Sequence, residues 1–154
     1  MQTPIGIIEI NADDKNVLSV LFVDNDSHLL SNIENEITIK AKQQLEDYFT
    51  KKSNAFNLPL YFSATEFQQN VWKQLQTIPF GKTISYLQLA KDLGEEKCIR
   101  AAASANGKNP FAIIVPCHRV IGKNGSLTGY AGGLWRKQWL LEHEDNILKQ
   151  VSLF

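Results

Sequence analysis

The sequence predicts an α+β fold, in which a small amino-terminal domain of strands and one helix precedes a mostly helical domain with a helix-turn-helix and a candidate active-site cysteine. Its 154 residues are 44% hydrophobic and 21% charged, which is typical of a globular chain with a buried core. Two apolar segments near the start predict strands, whereas later apolar residues recur at helical spacing. The two parts also differ in charge, because residues 1–65 carry 5 basic and 9 acidic side chains and residues 66–154 carry 11 and 7.

The first domain, residues 1–63, opens with a predicted hairpin. Residues 5–10 and 17–23 are strand-like, and the polar residues between them form a turn. An amphipathic helix that ends near residues 50–53 is predicted next. Its apolar face consists of Ile37, Ala41, Leu45, Tyr48 and Phe49. Residues 56–62 predict a short strand that Pro59 interrupts, and the domain boundary is expected near Ser63 and Ala64.

The second domain, residues 64–154, begins with two predicted helices. Thr65 and Gln68 have the spacing of a capping box, and so do Ser85 and Gln88. The apolar face of the first of these helices consists of Phe67, Val71, Trp72 and Leu75. The second helix is expected to end at Gly94, because glycine is favoured just after a helix.

A third helix is predicted from Glu95 and Glu96 to about Gly107, which completes a helix-turn-helix. It contains five consecutive small residues, 101–105, that let another backbone approach closely. Tight packing in a core explains such a run as well as DNA binding does. Arg100 and Lys108 flank the run and favour DNA.

Positive charge is concentrated around this helix. The stretch from Lys97 to Lys137 contains seven basic residues and no Asp or Glu, which is the pattern expected for binding a polyanion. Acidic residues from elsewhere in the fold could also neutralise these charges, and charge counts alone leave both interpretations open.

Other site types are not favoured. The Gly81-Lys82-Thr83 sequence lacks the earlier glycine of a phosphate-binding loop, and His143 lacks the second histidine of a zinc helix. The other candidate ligands, Cys98, Cys117, His28 and His118, show no paired metal-site spacing, so no metal and no cofactor are expected. No secretory signal or membrane-length apolar run is visible, so we expect a cytoplasmic protein with free thiols and no membrane partner.

The segment 113–121 has the strongest chemical signal. An apolar run leads into Pro116-Cys117-His118-Arg119, which places the thiol where buried structure ends. If Pro116 opens a helix, the helix amides and the adjacent basic residues would lower the pKa of the Cys117 thiol. A buried, inert cysteine is the alternative. A carboxylate is needed to orient His118, and Glu142, Glu144 and Asp145 are the candidates nearby.

These residues resemble the active-site signature of the O6-alkylguanine-DNA alkyltransferases, the methylated-DNA–protein-cysteine methyltransferases. The resemblance extends over nearly the whole chain, more loosely at the amino terminus. The matching segments besides Pro116-Cys117-His118-Arg119 are Phe67-Gln68 with Val71-Trp72, Ile78-Pro79-Phe80-Gly81 with Thr83, Ser85-Tyr86, Leu89-Ala90, Arg100-Ala101, Asn106-Gly107 with Asn109-Pro110, Tyr130 with Gly132-Gly133-Leu134, and Trp139-Leu140-Leu141 with His143-Glu144.

The resemblance implies a single-turnover DNA repair protein that flips O6-alkylguanine, and also O4-alkylthymine, out of double-stranded DNA and moves the alkyl group to Cys117. It implies a ribonuclease H-like domain over 1–63, a DNA-binding and alkyl-transfer domain over 64–154, and a monomer. The implied catalytic residues are Cys117, His118, Glu144 and Tyr86. The implied DNA-binding residues are Arg100, which fills the gap left by the flipped base, with Ala101, Ala102, Ser104 and Asn106. The implied pocket and support residues are Asn109, Val120, Tyr130, Ala131 and Lys137.

Three departures from the family pattern stand out. Ala131 replaces a serine of some relatives, Cys98 lies where small residues such as alanine are usual, and the zinc ligands of some animal members have no counterpart. Two other functions use the same features: a cysteine hydrolase that turns over, and a non-catalytic transcription regulator with a helix-turn-helix.

Overall fold

The computed structural model describes residues 1–24 and 33–152, with side chains to Asp145. The strands are β1 (Gln2–Thr3), β2 (Gly6–Ala12), β3 (Val17–Val23), β4 (Ile84–Ser85) and β5 (Val120–Ile121). The α-helices are α1 (Glu36–Phe49), α2 (Glu66–Leu75), α3 (Tyr86–Asp92), α4 (Ile99–Gly107) and α5 (Leu134–Ser152). Three short 3₁₀ helices cover Glu96–Cys98, Cys117–Arg119 and Lys123–Gly125.

The chain folds as two compact units, and the first comprises Met1–Ser63 together with Pro110–Ala112. Its sheet is antiparallel in the order β1-β2-β3, so the predicted hairpin is present. Helix α1 begins at a capping box in which the Asn35 side chain accepts from the Thr38 amide. Its buried face contains Ala41, Leu45 and Tyr48, as the helical spacing predicted.

The strand predicted over residues 56–62 is wrong apart from one bridge. Only Leu60 pairs with Val17, because the proline before it has no N–H to donate to a ladder. Val20, farther along β3, instead pairs with Phe111, accepting from Ala112 and donating to the carbonyl of Pro110. A segment from the second half of the sequence thus completes the first unit.

The second unit comprises Ala64–Asn109 and Ile113–Phe154. Helix α2 has the predicted capping box between Thr65 and Gln68, and it buries Val71, Trp72 and Leu75. The prediction that Phe67 shares this buried face is wrong, because 36% of its surface is exposed. The Trp72 indole donates to the carbonyl of Ala105 at 2.9 Å, which joins α2 to α4.

Helices α3 and α4 form the predicted helix-turn-helix. Ser85 caps α3, but Gln88 donates its side chain to Asp92 rather than returning to the cap, so the second capping box is only half formed. Gly94 follows α3 with φ +100°, a left-handed conformation that favours glycine. The helix expected from Glu95 begins instead as the 3₁₀ turn Glu96–Cys98 and becomes α-helical at Ile99.

The remaining elements bring the carboxyl-terminal residues to the middle of the second unit. Strands β4 and β5 pair in parallel, with Ile84 opposite Val120. Helix α5 was not predicted as an element, and its residues Lys137, Leu140, His143 and Glu144 are buried. Within the described ranges, every helix is too short or too polar to cross a bilayer.

Candidate active site

Cys117 lies at the end of a buried apolar run, as the sequence predicted. Residues 113–115 are buried, and 7% of the Cys117 surface is exposed. Ile113 has φ 71°, an unfavourable conformation for a β-branched residue, so the approach to the cysteine is strained. The turn is the 3₁₀ helix Cys117–Arg119, with Pro116 just before it.

The prediction that the surroundings lower the pKa of Cys117 is wrong in direction. Burial raises the pKa of the thiol, because a thiolate is poorly solvated in the interior. A three-residue 3₁₀ turn also has too few aligned amides to act as the expected helix N-terminus. The Asn109 side chain and the charge of Lys137 act in the opposite direction and favour the thiolate.

His118 is fully buried and contacts Glu144, with 2.7 Å between Nε2 and Oε1. Burial alone would raise the pKa of Glu144, but its contacts with His118 and Arg119 lower that pKa to about 2. Glu144 is therefore a carboxylate, and Nε2 of His118 carries the proton. Among the described residues, Nδ1 has no hydrogen-bond partner, so it is the ring nitrogen that can accept a proton.

Arg119 holds the same carboxylate from another side. Its Nε donates to Glu144 Oε2 at 3.0 Å, and a terminal nitrogen donates to Oε1 at 2.9 Å. The second terminal nitrogen donates to the carbonyl of Ile78 at 2.9 Å. The side chains of Arg119 and Glu144 are only 10% and 1% exposed, so this is a buried ion pair.

Two asparagines connect the cysteine turn to the end of α4. Asn109 donates to the carbonyl of Val115 at 2.7 Å, and Asn106 donates to the carbonyl of Cys117 at 3.4 Å. Both asparagines are buried. The helix-turn-helix and the thiol are therefore fixed to each other by amide hydrogen bonds.

A second network lies around Lys137, which is fully buried. Its ammonium donates to the carbonyls of Val120 at 2.7 Å and Thr128 at 2.8 Å. The Tyr86 hydroxyl donates to the same Thr128 carbonyl at 3.2 Å, and the Lys137 nitrogen lies 5.9 Å from the centre of the Tyr86 ring. Burial lowers the pKa of Lys137, and the nearby Cys117 opposes that shift.

A cavity of about 550 Å³ lies between this network and α4. Its lining residues are Tyr86, Ile99, Arg100, Ala103, Gly107, Thr128 and Gly129. Its walls combine apolar groups with a few polar atoms and one cation, which is the character of a site for a small ligand.

Two family descriptions match the chain. Residues 66–146 match the DNA binding domain of 6-O-methylguanine DNA methyltransferase, and residues 1–62 match the ribonuclease-like domain of the same protein. A methylated-DNA–protein-cysteine methyltransferase of Methanosarcina acetivorans is 44% identical over 147 residues, which cover 93% of this chain and 94% of that protein. The chain belongs to the 6-O-methylguanine DNA methyltransferase family.

Other members of the methyltransferase family agree with this assignment. A methylated-DNA–protein-cysteine methyltransferase of Mycobacterium leprae is 43% identical and covers 100% of this chain and 96% of its own. The crystal structure of Mycobacterium tuberculosis OGT in complex with DNA has a TM-score of 0.86 and 40% identity, covering 96% of this chain and 91% of that one. The predicted α+β fold class is therefore confirmed.

The DNA-binding residues predicted from the family resemblance separate into two groups. Arg100, Ala101 and Ser104 are exposed on α4. Ala102 and Asn106 are 0% and 2% exposed, so their side chains offer almost no surface to DNA, and their role in DNA binding stays a prediction. Residues 102, 105 and 106 occupy one face of α4 and pack inwards, which is the core-packing alternative for this part of the small-residue run.

The basic stretch is also less uniform than the sequence suggested. Arg119 is paired with Glu144, which comes from outside the stretch, and Lys137 is buried. Lys97, Arg100, Lys108 and Lys123 are exposed. Fewer than seven basic side chains of this stretch are therefore available at the surface of this methyltransferase to attract a polyanion.

The remaining predicted residues differ in burial. Val120 is buried and accepts from Lys137, and Ala131 is exposed. Tyr130 is half-buried, its hydroxyl oxygen is buried, and burial raises the pKa of this tyrosine well above its usual value. Within residues 1–24 and 33–145, no three His, Cys, Asp or Glu side chains form a metal-binding group; His28 lies outside the described residues.

Two members of the site are not predicted from the sequence. Arg119 was noted only for its charge next to Cys117, and its pairing with Glu144 joins residues 25 positions apart. Thr128 was not singled out, because its backbone carbonyl rather than its side chain joins Tyr86 to Lys137. No local pattern signals either contact.

Proposed function

We propose that this protein repairs alkylated DNA by moving the alkyl group of O6-alkylguanine to Cys117, once per protein molecule. The observation that carries the proposal is the buried contact of 2.7 Å between His118 and Glu144 beside a buried cysteine, in a chain of the methyltransferase family. The thiolate sulfur forms a bond to the alkyl carbon while the bond from that carbon to O6 breaks, and guanine leaves. The thioether that remains is not hydrolysed, so no turnover follows.

The proton steps use both sides of the site. Nδ1 of His118 accepts the thiol proton through a water, since neighbouring residues of one turn do not face each other. Glu144 keeps the proton on Nε2 and stabilises the imidazolium. On the other side, the Tyr86 hydroxyl leaves Thr128 and donates its proton to the departing guanine, and the thiol proton held by His118 returns through solvent to the Tyr86 oxygen. The Thr128 carbonyl then still accepts from Lys137, so the wall of the cavity is kept.

DNA binding is assigned to α4. Arg100 is exposed at the cavity, so it fills the gap in the stack from which the base has been flipped. Ala101 and Ser104 have short exposed side chains, which let the helix approach the minor groove closely. Arg100→Ala should therefore slow reaction with alkylated duplex more than reaction with free O6-alkylguanine base. Equal slowing of both reactions would contradict this role.

The central test is covalent. The protein is incubated with a duplex that contains one O6-methylguanine, and its peptides are mapped by mass spectrometry. We expect one added methylene on the peptide that contains Cys117, at one equivalent per protein, and no adduct in Cys117→Ala, which still binds the duplex. Cys98→Ala is the matched control and should react normally. An adduct on Cys98 instead of Cys117 would overturn the proposal. Turnover without any adduct, as in a cysteine hydrolase, would also overturn it.

Three narrower points belong to the same proposal. O4-alkylthymine should compete as a slower substrate, measured with the same adduct assay. A reduced thiol is required for the reaction, which fits a cytoplasmic location. One protein should react with one lesion as a monomer, and light scattering of the free and alkylated protein would detect a dimer.

A further inference from the structure

We infer that Arg119 is a positioning residue that keeps Glu144 oriented and ionised, and that it thereby keeps His118 neutral with a free Nδ1. This inference rests on the proposed alkyl transfer for its purpose but not for its measurement. Its basis is the geometry of three buried side chains, Arg119, Glu144 and His118, in which one carboxylate is shared by two donors.

Because the Glu144 carboxylate accepts from both His118 and Arg119, it is held in one orientation. Oε1 of Glu144 accepts from both His118 and Arg119, at 2.7 and 2.9 Å, and Oε2 accepts from Arg119 at 3.0 Å. Rotation of the carboxylate would break both arginine bonds together, since a guanidinium binds a carboxylate as a planar fork. Oε1 is consequently held where Nε2 of His118 needs it.

The guanidinium has its own anchor outside this pair. Its third donor binds the carbonyl of Ile78, in the segment between α2 and β4, and its centre lies 5.5 Å from the centre of the Phe80 ring. Glu144 is on α5, so Arg119 ties two distant segments to the cysteine turn. Water has little access to compete, because both side chains are almost fully buried.

Charge is the second consequence of this arrangement. A lone buried carboxylate would attract a proton onto His118, whereas an arginine-paired carboxylate presents little net charge. Burial lowers the pKa of His118, the Glu144 contact opposes this, and the charges of Arg119 and Lys137 lower the pKa further. Helix α2, which also packs against the turn, buries only the uncharged Val71, Trp72 and Leu75 there. Arg119 thus helps keep Nδ1 available as a proton acceptor.

The test compares Arg119→Met, which removes the charge at similar length, with Arg119→Lys, which keeps the charge but not the fork. Lys91→Met removes an exposed ion pair of 3.8 Å with Glu96 and is the matched control. Histidine nitrogen NMR is recorded against pH for each unreacted protein, with His118→Gln used to assign the His118 signals. Alkyl transfer to Cys117 is measured in parallel on the O6-methylguanine duplex.

We expect His118 of Arg119→Met to titrate at a higher pH than in the unaltered protein and alkyl transfer to slow by about tenfold or more. Arg119→Lys should leave the titration near its original pH and slow transfer less, and Lys91→Met should change neither. An unchanged His118 titration in folded Arg119→Met would overturn the inference. If Arg119→Met does not fold, Arg119→Lys decides, and full-rate transfer by that variant contradicts the need for a fork.

The NMR readout also separates this inference from the proposed function. If the unaltered protein transfers no alkyl group but the His118 titration moves in Arg119→Met, the positioning role stands and the alkyl transfer fails. If transfer occurs and the titration does not move, the reverse holds.

Discussion

Two buried cations flank the cysteine, and their partners differ. Arg119 is neutralised by Glu144 through two hydrogen bonds, whereas Lys137 donates to the carbonyls of Val120 and Thr128. Within the described residues, no carboxylate lies at ion-pair distance from Lys137. The anion that acts on it is the thiolate form of Cys117. One cation therefore supports a permanent charge, and the other supports a charge that forms only when the Cys117 thiol loses its proton.

This difference predicts that loss of the arginine's partner, Glu144, reduces stability as well as activity, whereas loss of the lysine mainly reduces activity. A buried charge that loses its partner remains in the interior unpaired, which is costly. A buried lysine without a permanent counter-ion already has a disfavoured charge, so its removal costs the fold less.

The largest expected effect is on Glu144→Gln. This change leaves Arg119 buried without an anion, so the free energy of unfolding should fall by about 3–5 kcal/mol. Urea denaturation measures it. Glu142→Gln is the matched control on the same helix, because Glu142 is exposed and accepts only a side-chain bond from Gln138. A loss no larger in Glu144→Gln than in the control would mean that the ion pair contributes nothing to stability.

The second effect is the pH dependence of the same carboxylate. The pKa of Glu144 falls from 4.5 to about 2 on folding, so its contribution is present above pH 4.5 and is lost as the pH falls towards 2. The contribution is on the order of 3 kcal/mol. Denaturation curves between these pH values should show the loss in the unaltered protein. The free energy of unfolding should fall less steeply with falling pH in Glu144→Gln. Equal slopes in the two proteins would assign the loss of stability in acid to other groups.

The third effect, for Lys137→Met, is expected to be small on stability and large on the rate of alkyl transfer. Lys137→Met replaces a buried ammonium side chain with an uncharged side chain of similar length. The free energy of unfolding should therefore change by only about 1 kcal/mol in either direction. Alkyl transfer should slow by about tenfold or more, because the thiolate loses its nearby positive charge. Stability comes from denaturation and the rate from the adduct assay. A large stability loss with an unchanged rate would make Lys137 a second structural cation.

The smallest effect is expected for Tyr86→Phe. The change removes the bond to the Thr128 carbonyl, which still accepts from Lys137, and a long bond of 3.4 Å from the Thr128 hydroxyl, so stability should fall by about 0.5–1 kcal/mol. Transfer should slow, since the departing guanine loses its proton donor. In the double variant Tyr86→Phe with Lys137→Met, the Thr128 carbonyl has neither partner, so the loss of stability should exceed the sum of the two single losses.

Parts of the fold follow from short stretches of sequence. The Asn35 and Thr65 caps, the buried face of α1 and the hairpin all depend on residues a few positions apart, and the helical prediction over α4 held to its last residue, Gly107. Predictions failed where a side chain had two possible hydrogen-bond partners or where two segments could pair with the same strand. The Gln88 side chain donates to Asp92 instead of accepting from the cap residue. Beside β3, Leu60 pairs only with Val17, and Phe111 pairs with Val20.

The sequence predicts the nucleophile, its histidine and the chemistry they suggest, because Pro116-Cys117-His118-Arg119 is contiguous and the family resemblance covers nearly the whole chain. The groups that control that chemistry are brought together by long-range contacts, which only the folded chain shows. Glu144 lies 26 positions from His118, and Arg119 lies 41 from the Ile78 carbonyl. Contacts at such separations depend on how helices pack and which charges become buried. Periodicity and capping report only on neighbours within a few residues, so they cannot specify such contacts.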